Sequence, residues 1–405
     1  MKISYFIAKR LSYSKGKGTS GLIVRIAIAS VAISIAVMIC TFAIVKGYQL
    51  EIRNKITGFG SHIQISRLDL NNSYETIPVQ NDTHLVKLMK QQRGVAAVQP
   101  IGIKAGIIKT AEEFQGVVIK GVDKNYDWKF IKQYLQEGGL PHFNDSTTSQ
   151  ELMLSAATAS KLHLKLNDAV VVYFVQDPPR VRKFKVIGIY KTGYGELDEL
   201  YAFADLKQIQ KLNNWNENQI SGYELKIDDF TKLDNITESL MPLIPYHLEV
   251  LTIRQLQPQI FEWLGFLDLN AIIIIILMLV VACINMITAL LILIVERSNM
   301  VGLLKAFGAP DRVIASTFIY MASYLVLVGL ALGNSIGLLL CLSQKYWGWF
   351  KLSQESYYLS EVPVQLGIAD ILILNSGAFI VCYLVLLLPS AFISRITPVK
   401  AIRFE

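Results

Sequence analysis

The chain has 405 residues, of which 52% are hydrophobic and 18% charged, with a net charge of +7 at pH 7. No concentrated basic patch of the kind nucleic-acid binding needs accompanies that charge. The apolar residues are unevenly placed: an uncharged run at 26–45 is followed by about two hundred mostly polar residues and then by uncharged runs at 269–295, 313–344 and 371–394. Each run is long enough to cross a hydrocarbon layer about 30 Å thick, which takes about 20 residues of helix. The fold class expected is a multi-span α-helical membrane protein of four transmembrane helices, with a large α+β extracytoplasmic domain inserted between helices 1 and 2.

From the N-terminus, residues 1–21 carry Lys2, Lys9, Arg10, Lys15 and Lys17 and no acid. Basic residues in short flanks mark the cytoplasmic side of a span. The connection 296–312 adds Arg297, Lys305 and Arg312, and the tail 395–405 adds Arg395, Lys400 and Arg403, whereas the loop 344–369 has only Lys345 and Lys351. Both termini are expected in the cytoplasm. Counting Arg25, these cytoplasmic parts hold 12 bases against 3 acids, while residues 46–268 hold 25 bases against 26 acids, so the basic pI reports topology. The first run exceeds the roughly 7–15-residue core of a secretory signal, which makes it an uncleaved anchor, with Arg25 snorkelling to the inner surface. The organisation expected is a basic cytoplasmic N-terminus at 1–21, transmembrane helices at 22–46, 264–295, 313–343 and 370–394, and an extracytoplasmic domain with stalks at 47–263. A cytoplasmic coupling helix at 296–312, an outer loop at 344–369 and a cytoplasmic tail at 395–405 complete it.

Inside the inserted domain, strand-like runs at 62–65, 116–120, 169–174, 182–189 and 223–227 alternate with helical ones at 83–92, 156–162, 205–212 and 231–241. Gly138-Gly139, Asp177-Pro178-Pro179 and 192–195 are turn signals. A mixed α+β domain follows, with the polar stretch 124–148 as a candidate boundary between two subdomains. The apolar pattern scarcely stops between Leu256 and Val295, so the second span is expected to extend outward as a stalk, as 47–58 does for the first. Cys40, Cys283, Cys341 and Cys382 all fall in spans, leaving the domain without disulfides. A domain of about 220 residues buries a core without them.

Chemistry-bearing motifs are absent: there is no G-x-x-x-x-G-K-[ST] phosphate loop and no G-x-S-x-G elbow. The five histidines, His62, His84, His142, His163 and His247, form no pair at metal-ligand spacing. The chain is expected to be no enzyme and to hold no metal. In the third span Gly329, Gly333 and Gly337 repeat G-x-x-x-G, which lets helix backbones approach closely, against a neighbouring helix or a partner subunit; a substrate surface is the other reading. Asn285, Asn334 and Asn375 suit hydrogen bonds between spans. No acid or base lies mid-span, which argues against an ion-coupled transporter, so any transport energy comes from outside the chain. Residues 296–310 read as a short amphipathic helix closed by Gly308 and Pro310, either a surface helix held at the membrane or a coupling helix that docks into another protein.

The run Glu296, Arg297, Met300, Gly302, Leu303, Lys305, Ala306 and Gly308 resembles the E-R-x-x-x-[IV]-G-x-[LM]-[KR]-A-x-G signature that follows span two in FtsX-like ABC permeases. Ile396, Pro398, Ala401, Ile402 and Arg403 resemble their C-terminal tail. Phe6-Ile7-Ala8-Lys9-Arg10-Leu11, the stretch at 47–63, Val118-Ile119-Lys120-Gly121-Val122-Asp123 and Lys185-Val186-Ile187-Gly188-Ile189-Tyr190 are more narrowly similar to the lipoprotein-releasing (Lol) permeases. The likeness covers nearly the whole chain.

The resemblance implies a permease subunit in the bacterial inner membrane that extracts lipoproteins from the outer leaflet and hands them to a periplasmic carrier. Its implied partners are an ABC ATPase in two copies, which binds the ATP and Mg that this chain does not, and a second permease, identical or related. Glu296, Arg297, Met300, Gly302, Lys305, Ala306 and Gly308 would couple to the ATPase. Phe42, Val45, Tyr48 and Ile52 on the first stalk, with Leu256, Ile260, Phe261, Leu264 and Leu267 on the second, are candidates for an apolar lipid cleft, stalk packing being the other reading. The loop Val175 to Arg180 stands where one of the paired Lol permeases carries a longer hook for the carrier; it is short here, stiffened by Pro178-Pro179, and Pro178, Pro179 and Arg180 are its candidate carrier contacts. The alternatives are an FtsX-like permease for peptide or drug export, a transmembrane regulator of cell-wall hydrolases, and a non-transporting scaffold.

Overall fold

The computed structural model describes residues 19–69, 74–144 and 147–390; the Phe6 to Leu11 motif, nearly all of the basic N-terminus and the tail at 395–405 with its Ile396 to Arg403 motif lie outside them. Four long helices carry the apolar runs: α1 (Thr19–Gly60), α2 (Pro258–Glu296), α4 (Asp311–Trp347) and α5 (Ile368–Ser390), with the short α3 (Ser298–Ala306) between α2 and α4. All four are long and apolar enough to cross a membrane. At 1.5 Å per residue, α1 and α2 each run about 60 Å, twice a hydrocarbon layer, so the outer half of each stalk is helix continuous with its span.

The chain forms two compact units: Met1–Leu50 with Trp263–Lys351 and Glu361–Glu405, and Glu51–Glu262 with Leu352–Ser360. The first is built on small residues. A Cβ at Gly329 would meet Val31, one at Gly333 would lie 2.6 Å from the Ala32 carbonyl oxygen and 2.7 Å from Ile35 Cβ, and one at Gly337 would press on Ala36 and Ile39. The glycine stripe therefore seats α4 on α1 of the same chain, and Val31, Ile35, Ile39, Phe318, Leu325 and Val326 fill the seam. Polar side chains inside the spans pair off, as an apolar medium requires. Asn334 and Asn375 exchange amide hydrogen bonds at 2.6 and 2.9 Å between α4 and α5, and Asn285 donates to Ser30 between α2 and α1.

The second unit holds a ten-stranded mixed sheet: β1 (Ile63–Arg67), β3 (Val95–Lys109), β4 (Phe114–Val122), β5 (Leu135–Gly138), β6 (Glu151–Ser155), β7 (Ala169–Phe174), β8 (Arg180–Tyr190), β9 (Tyr201–Asp205), β11 (Gly222–Ile227) and β12 (Leu248–Thr252). The strands β2 (Val79–Gln80) and β10 (Gln219–Ile220) pair separately. The order is β12-β1-β11-β3-β4-β9-β6-β8-β5, with β7 joining β3 to β8. The pairings β3–β4–β9–β6–β8–β7–β3 form a closed circuit of six strands, and Ile108, Val117, Leu154, Val172, Phe184 and Val186 are among the side chains buried at its core. Helices Ala156–Lys161 and Leu206–Leu212 follow β6 and β9 directly; Ser155 and Asp205 end those strands and cap the helices through their side chains.

Every strand and helix expected in the domain is present within a few residues. The expected boundary at 124–148 is not: β4 before it and β6 after it both pair with β9, so one sheet runs through. The expected strands do not include β3, the longest, whose Pro100, Gly102 and Gly106 are residues that strands disfavour. Gly102 is small because helix Leu206–Leu212 lies on it; a Cβ there would sit 2.7 Å from Leu206 Cδ1.

Gly333→Leu is expected to destabilise the span unit by about 2 kcal/mol through overpacking against α1, read from the detergent unfolding midpoint. An unchanged midpoint would show that α4 does not seat on α1 through this stripe.

Candidate functional site

At the connection between α2 and α4, Glu296 ends α2, Arg297 bends the chain, and Val301 N–H returns to the Arg297 carbonyl at 3.0 Å. Gly308 adopts φ +85, the left-handed conformation that suits glycine, and its N–H and that of Ala309 bond the Lys305 and Leu304 carbonyls at 2.9 and 3.0 Å. Pro310 then opens α4. The signature divides by direction. Val301 and Gly302 are buried, and Met300 and Leu304 pack on the span core. Glu296, Ala306 and Gly308 are exposed, Arg297 is half-buried, and Lys305 Nζ pairs with Asp311 Oδ1 at 2.8 Å. Beside them Leu303 is 54% and Phe307 81% exposed, one helical turn apart on the same face. An apolar knob flanked by charges suits a protein partner. Leu303 and Phe307 were absent from the candidate set, although Leu303 lies inside the signature.

The lipid-cleft candidates do not come together on one open surface. Tyr48, Ile52 and Leu264 are buried inside the chain, and Phe42, Val45, Leu256, Ile260, Phe261 and Leu267 are half-buried. Tyr48 meets Trp263 edge to face with ring centroids 5.6 Å apart, Gln49 Nε2 donates to the Leu264 carbonyl at 3.1 Å, and Phe261 stacks on Phe230 at 5.9 Å. For Tyr48, Leu264 and Phe261 the packing role holds in this conformation. The open apolar face lies elsewhere on α2: Phe266, Leu269, Ile273, Ile276, Val280 and Ile284 are exposed at spacings of three and four residues, the ridge of a broader apolar face that also holds Ile272, Leu277 and Val281. Because α2 is apolar on all sides, its sequence carries no period that distinguishes this ridge from the buried face.

Pro178 and Pro179 are exposed at the turn between β7 and β8. Arg180 is committed elsewhere: Nη1 donates to the Lys211 and Leu212 carbonyls at 2.7 and 3.0 Å and Nη2 to Asn214 Oδ1 at 2.6 Å, which binds it to the C-terminal end of helix Leu206–Leu212. Its guanidinium is therefore spent on holding the hairpin, and the exposed contact groups beside the two prolines are Val175, Tyr173 and Val181. Among the described residues no group of three or more His, Cys, Asp or Glu could hold a metal ion.

The junction of α1 with the sheet is ionic. Lys120 on β4, 1% exposed, donates Nζ to Glu224 Oε2 at 2.6 Å and to the Phe59 carbonyl in the last turn of α1. Burial pulls its ammonium below the usual lysine range, and the Glu224 carboxylate opposes that shift. Ser61, at φ 64, breaks the helix and donates to the Leu225 carbonyl at 2.8 Å. His62 then faces the Phe230 ring and accepts the Ile227 N–H at Nδ1. Burial, aided by Lys226 and Arg53, lowers its pKa from 6.5 to about 4.

Residues 26–242 match the MacB-like periplasmic core domain family and residues 272–398 the FtsX-like permease C-terminal family. The first match covers more than half of the chain, and the protein belongs to that family: it is a four-helix membrane protein with a MacB-like periplasmic core domain between its first and second helices. Among curated proteins it is 22% identical to the lipoprotein-releasing system transmembrane protein LolC of Xylella fastidiosa (strain 9a5c), over 98% of both chains. It is 23% identical to the corresponding LolE of Haemophilus influenzae (strain ATCC 51907 / DSM 11121 / KW20 / Rd), over 99% of both. Among solved structures the periplasmic region of MacB from Actinobacillus actinomycetemcomitans aligns with 52% of this chain and 97% of its own at 17% identity, with a TM-score of 0.34.

Since the pKa of folded His62 lies below its unfolded value, the native state resists protonation: this stability is complete above pH 6.5 and is lost as pH falls toward 4. Between pH 7 and 5 the wild type is expected to lose about 1–2 kcal/mol that His62→Asn does not lose, measured from paired denaturation midpoints. Parallel midpoints for the two proteins would refute the assignment to His62.

Proposed function

We propose that this chain is the permease subunit of an ABC transporter that extracts lipoproteins from the outer leaflet of the bacterial inner membrane and passes them to a periplasmic carrier. The observation that carries the reading is the α2 face from Phe266 to Ile284, six large apolar side chains each at least half exposed on a helix long enough to continue past the membrane as a stalk. The full-length likeness to Lol system permeases supports it. Each acyl chain of about fifteen methylenes costs about 12 kcal/mol to expose to water, so release requires a continuous apolar path and an outside source of energy. The ridge supplies the path. A separate ATPase, in two copies and holding the ATP and Mg, supplies the energy through Leu303 and Phe307, backed by Gly302 and framed by Glu296, Arg297 and Lys305.

In this reading both termini are cytoplasmic, the chain catalyses no covalent step, and a second permease, identical or related, faces the ridge across the lipid path. Motion imposed on α3 passes into α2 and α4, which it joins end to end, and closure of the stalks drives the lipid toward the domain. The β7–β8 turn, with Pro178, Pro179, Val175 and Tyr173, would meet the periplasmic carrier.

Gly302→Trp with Lys305→Glu is expected to lower ATP-dependent lipoprotein release at least tenfold in reconstituted vesicles and to prevent copurification of the ATPase. Release at the wild-type rate would sink the coupling role. Ile273→Asp should leave ATPase association intact while cutting photocrosslinking of a bound lipoprotein from the ridge severalfold; equal crosslinking would remove the ridge from the lipid path.

A further inference from the structure

Nine residues of the connection between α4 and α5, Leu352–Ser360, belong to the compact unit of the inserted domain, so the chain enters that unit from the α4–α5 side as well as from α1 and α2. The segment is closed on itself: Leu352 N–H bonds the Ser360 carbonyl at 2.9 Å, and Tyr357 and Tyr358 N–H bond the Ser353 and Gln354 carbonyls at 3.0 Å each. Tyr358 is held at φ 59, a left-handed conformation that a bulky residue adopts only where its surroundings impose it.

Those surroundings are specific. Lys55 on α1 is 4% exposed, and its ammonium donates to two main-chain carbonyls, Tyr358 at 2.7 Å and Thr192 at 2.6 Å. Asp198, itself buried, holds the Thr192 turn from behind. It accepts Thr192 Oγ1 at 2.7 Å and Gly193 N–H at 2.9 Å, with Thr192 N–H at 3.1 Å, and its charge acts on Lys55. The Tyr194 ring stacks on that of Tyr358 with centroids 4.5 Å apart and planes 20° apart. Gly193 is at φ +77, and the Gln354 side chain fills the space where a Cβ would project. A buried ammonium must keep its acceptors, because losing one leaves a desolvated charge unpaired. Three parts of the chain far apart in sequence thus share one buried cation.

We propose that Leu352–Ser360 is a third tether of the domain. Lys55 clamps it to α1 and to the Thr192–Tyr194 turn, so that displacement of α4 and α5 reaches the domain directly and not only through α1 and α2. The clamp stays closed through the transport cycle and acts as a strut. The source of displacement rests on the ABC reading above; the clamp itself does not.

The test is amide hydrogen exchange on the full-length chain assembled with its ATPase in nanodiscs. It compares the wild type, Lys55→Met, Tyr358→Gly, and a Lys55→Met chain carrying Tyr194→Cys and Tyr358→Cys joined by a short bismaleimide. Without nucleotide, Lys55→Met and Tyr358→Gly should each speed exchange across 352–360 at least tenfold while leaving β3 and β4 unchanged. With nucleotide, the response of the domain seen in the wild type should fall severalfold in Lys55→Met, α1 and α2 carrying the remainder, and return to the wild-type level in the cross-linked chain. Unchanged exchange of 352–360 in both single variants overturns the clamp, as does a cross-linked chain that stays unresponsive while its exchange without nucleotide is native. If the wild type shows no response to nucleotide, the ABC reading falls, and the comparison without nucleotide still decides the clamp.

Discussion

The architecture turns on one buried cation, Lys120, which closes the end of α1 into the sheet. Its ammonium satisfies the Phe59 carbonyl, one of the orphan acceptors at a helix C-terminus, and is itself neutralised by Glu224 two strands away. Removing one partner of such a pair leaves an uncompensated charge in the core and costs about 3–5 kcal/mol. The aromatic cluster around it, Phe59, Tyr126, Tyr190 and Phe203, excludes the water that would otherwise replace the lost partner. Because α1 is a single helix from Thr19 to Gly60, fixing its last turn in the sheet also fixes which of its faces Lys55 and Ile52 present within the domain.

Within the span unit the helices have unequal roles. Roughly twice the share of the apolar window is buried in α1 and α4 as in α2 and α5. The glycine stripe explains the first pair: backbones in close contact gain dispersion energy over their whole length, which a lipid solvent cannot match by the hydrophobic effect. The second pair keeps its large side chains outward, and on α2 these align as the ridge. α2 and α5 thus leave most of their apolar surface free, and in the proposed reading it is the α2 face that serves the lipid path, while α1 spends its own on the seam with α4.

How much of this was legible in the sequence depends on whether the signal is local. Spans, five of the ten sheet strands and capped helices such as Leu206–Leu212 are legible from their own residues with nearly correct bounds, while the short β5, β6, β9 and β12 carry too few residues to show a period. What else was missed is set by distant partners. Pro100 and Gly102 argue against a strand until helix Leu206–Leu212 is laid on β3, and Arg180 looks like a free surface cation until Lys211, Leu212 and Asn214 are brought beside it. The choice between cleft and stalk packing has the same source: Tyr48 and Leu264 are apolar and on the stalks, but only contact with a neighbour shows that they face inward. The coupling motif was legible as a motif, and its division into a buried Gly302 and an exposed Leu303 and Phe307 was not.

In the proposed reading, force travels through this chain mechanically. The ion pairs described in the span unit, Lys46 with Asp370 and Lys305 with Asp311, border the apolar runs, and no Asp, Glu, Lys or Arg lies within the runs at 26–45, 269–295 and 313–344 to relay protons. Asn334 with Asn375 and Asn285 with Ser30 are neutral and mutually satisfied, so they lock helices together without storing charge. In the proposed reading, a push at Leu303 and Phe307 would be transmitted as rigid displacement of α2 and α4. Such displacement does useful work only where the receiving unit is gripped, and a long helix is a poor lever if its far end can rotate freely. The buried lysines supply that grip: Lys120 at the end of α1 and Lys55 one helical turn before it each trade the cost of dehydrating a cation for attachment to main-chain carbonyls, which cannot move without moving the fold.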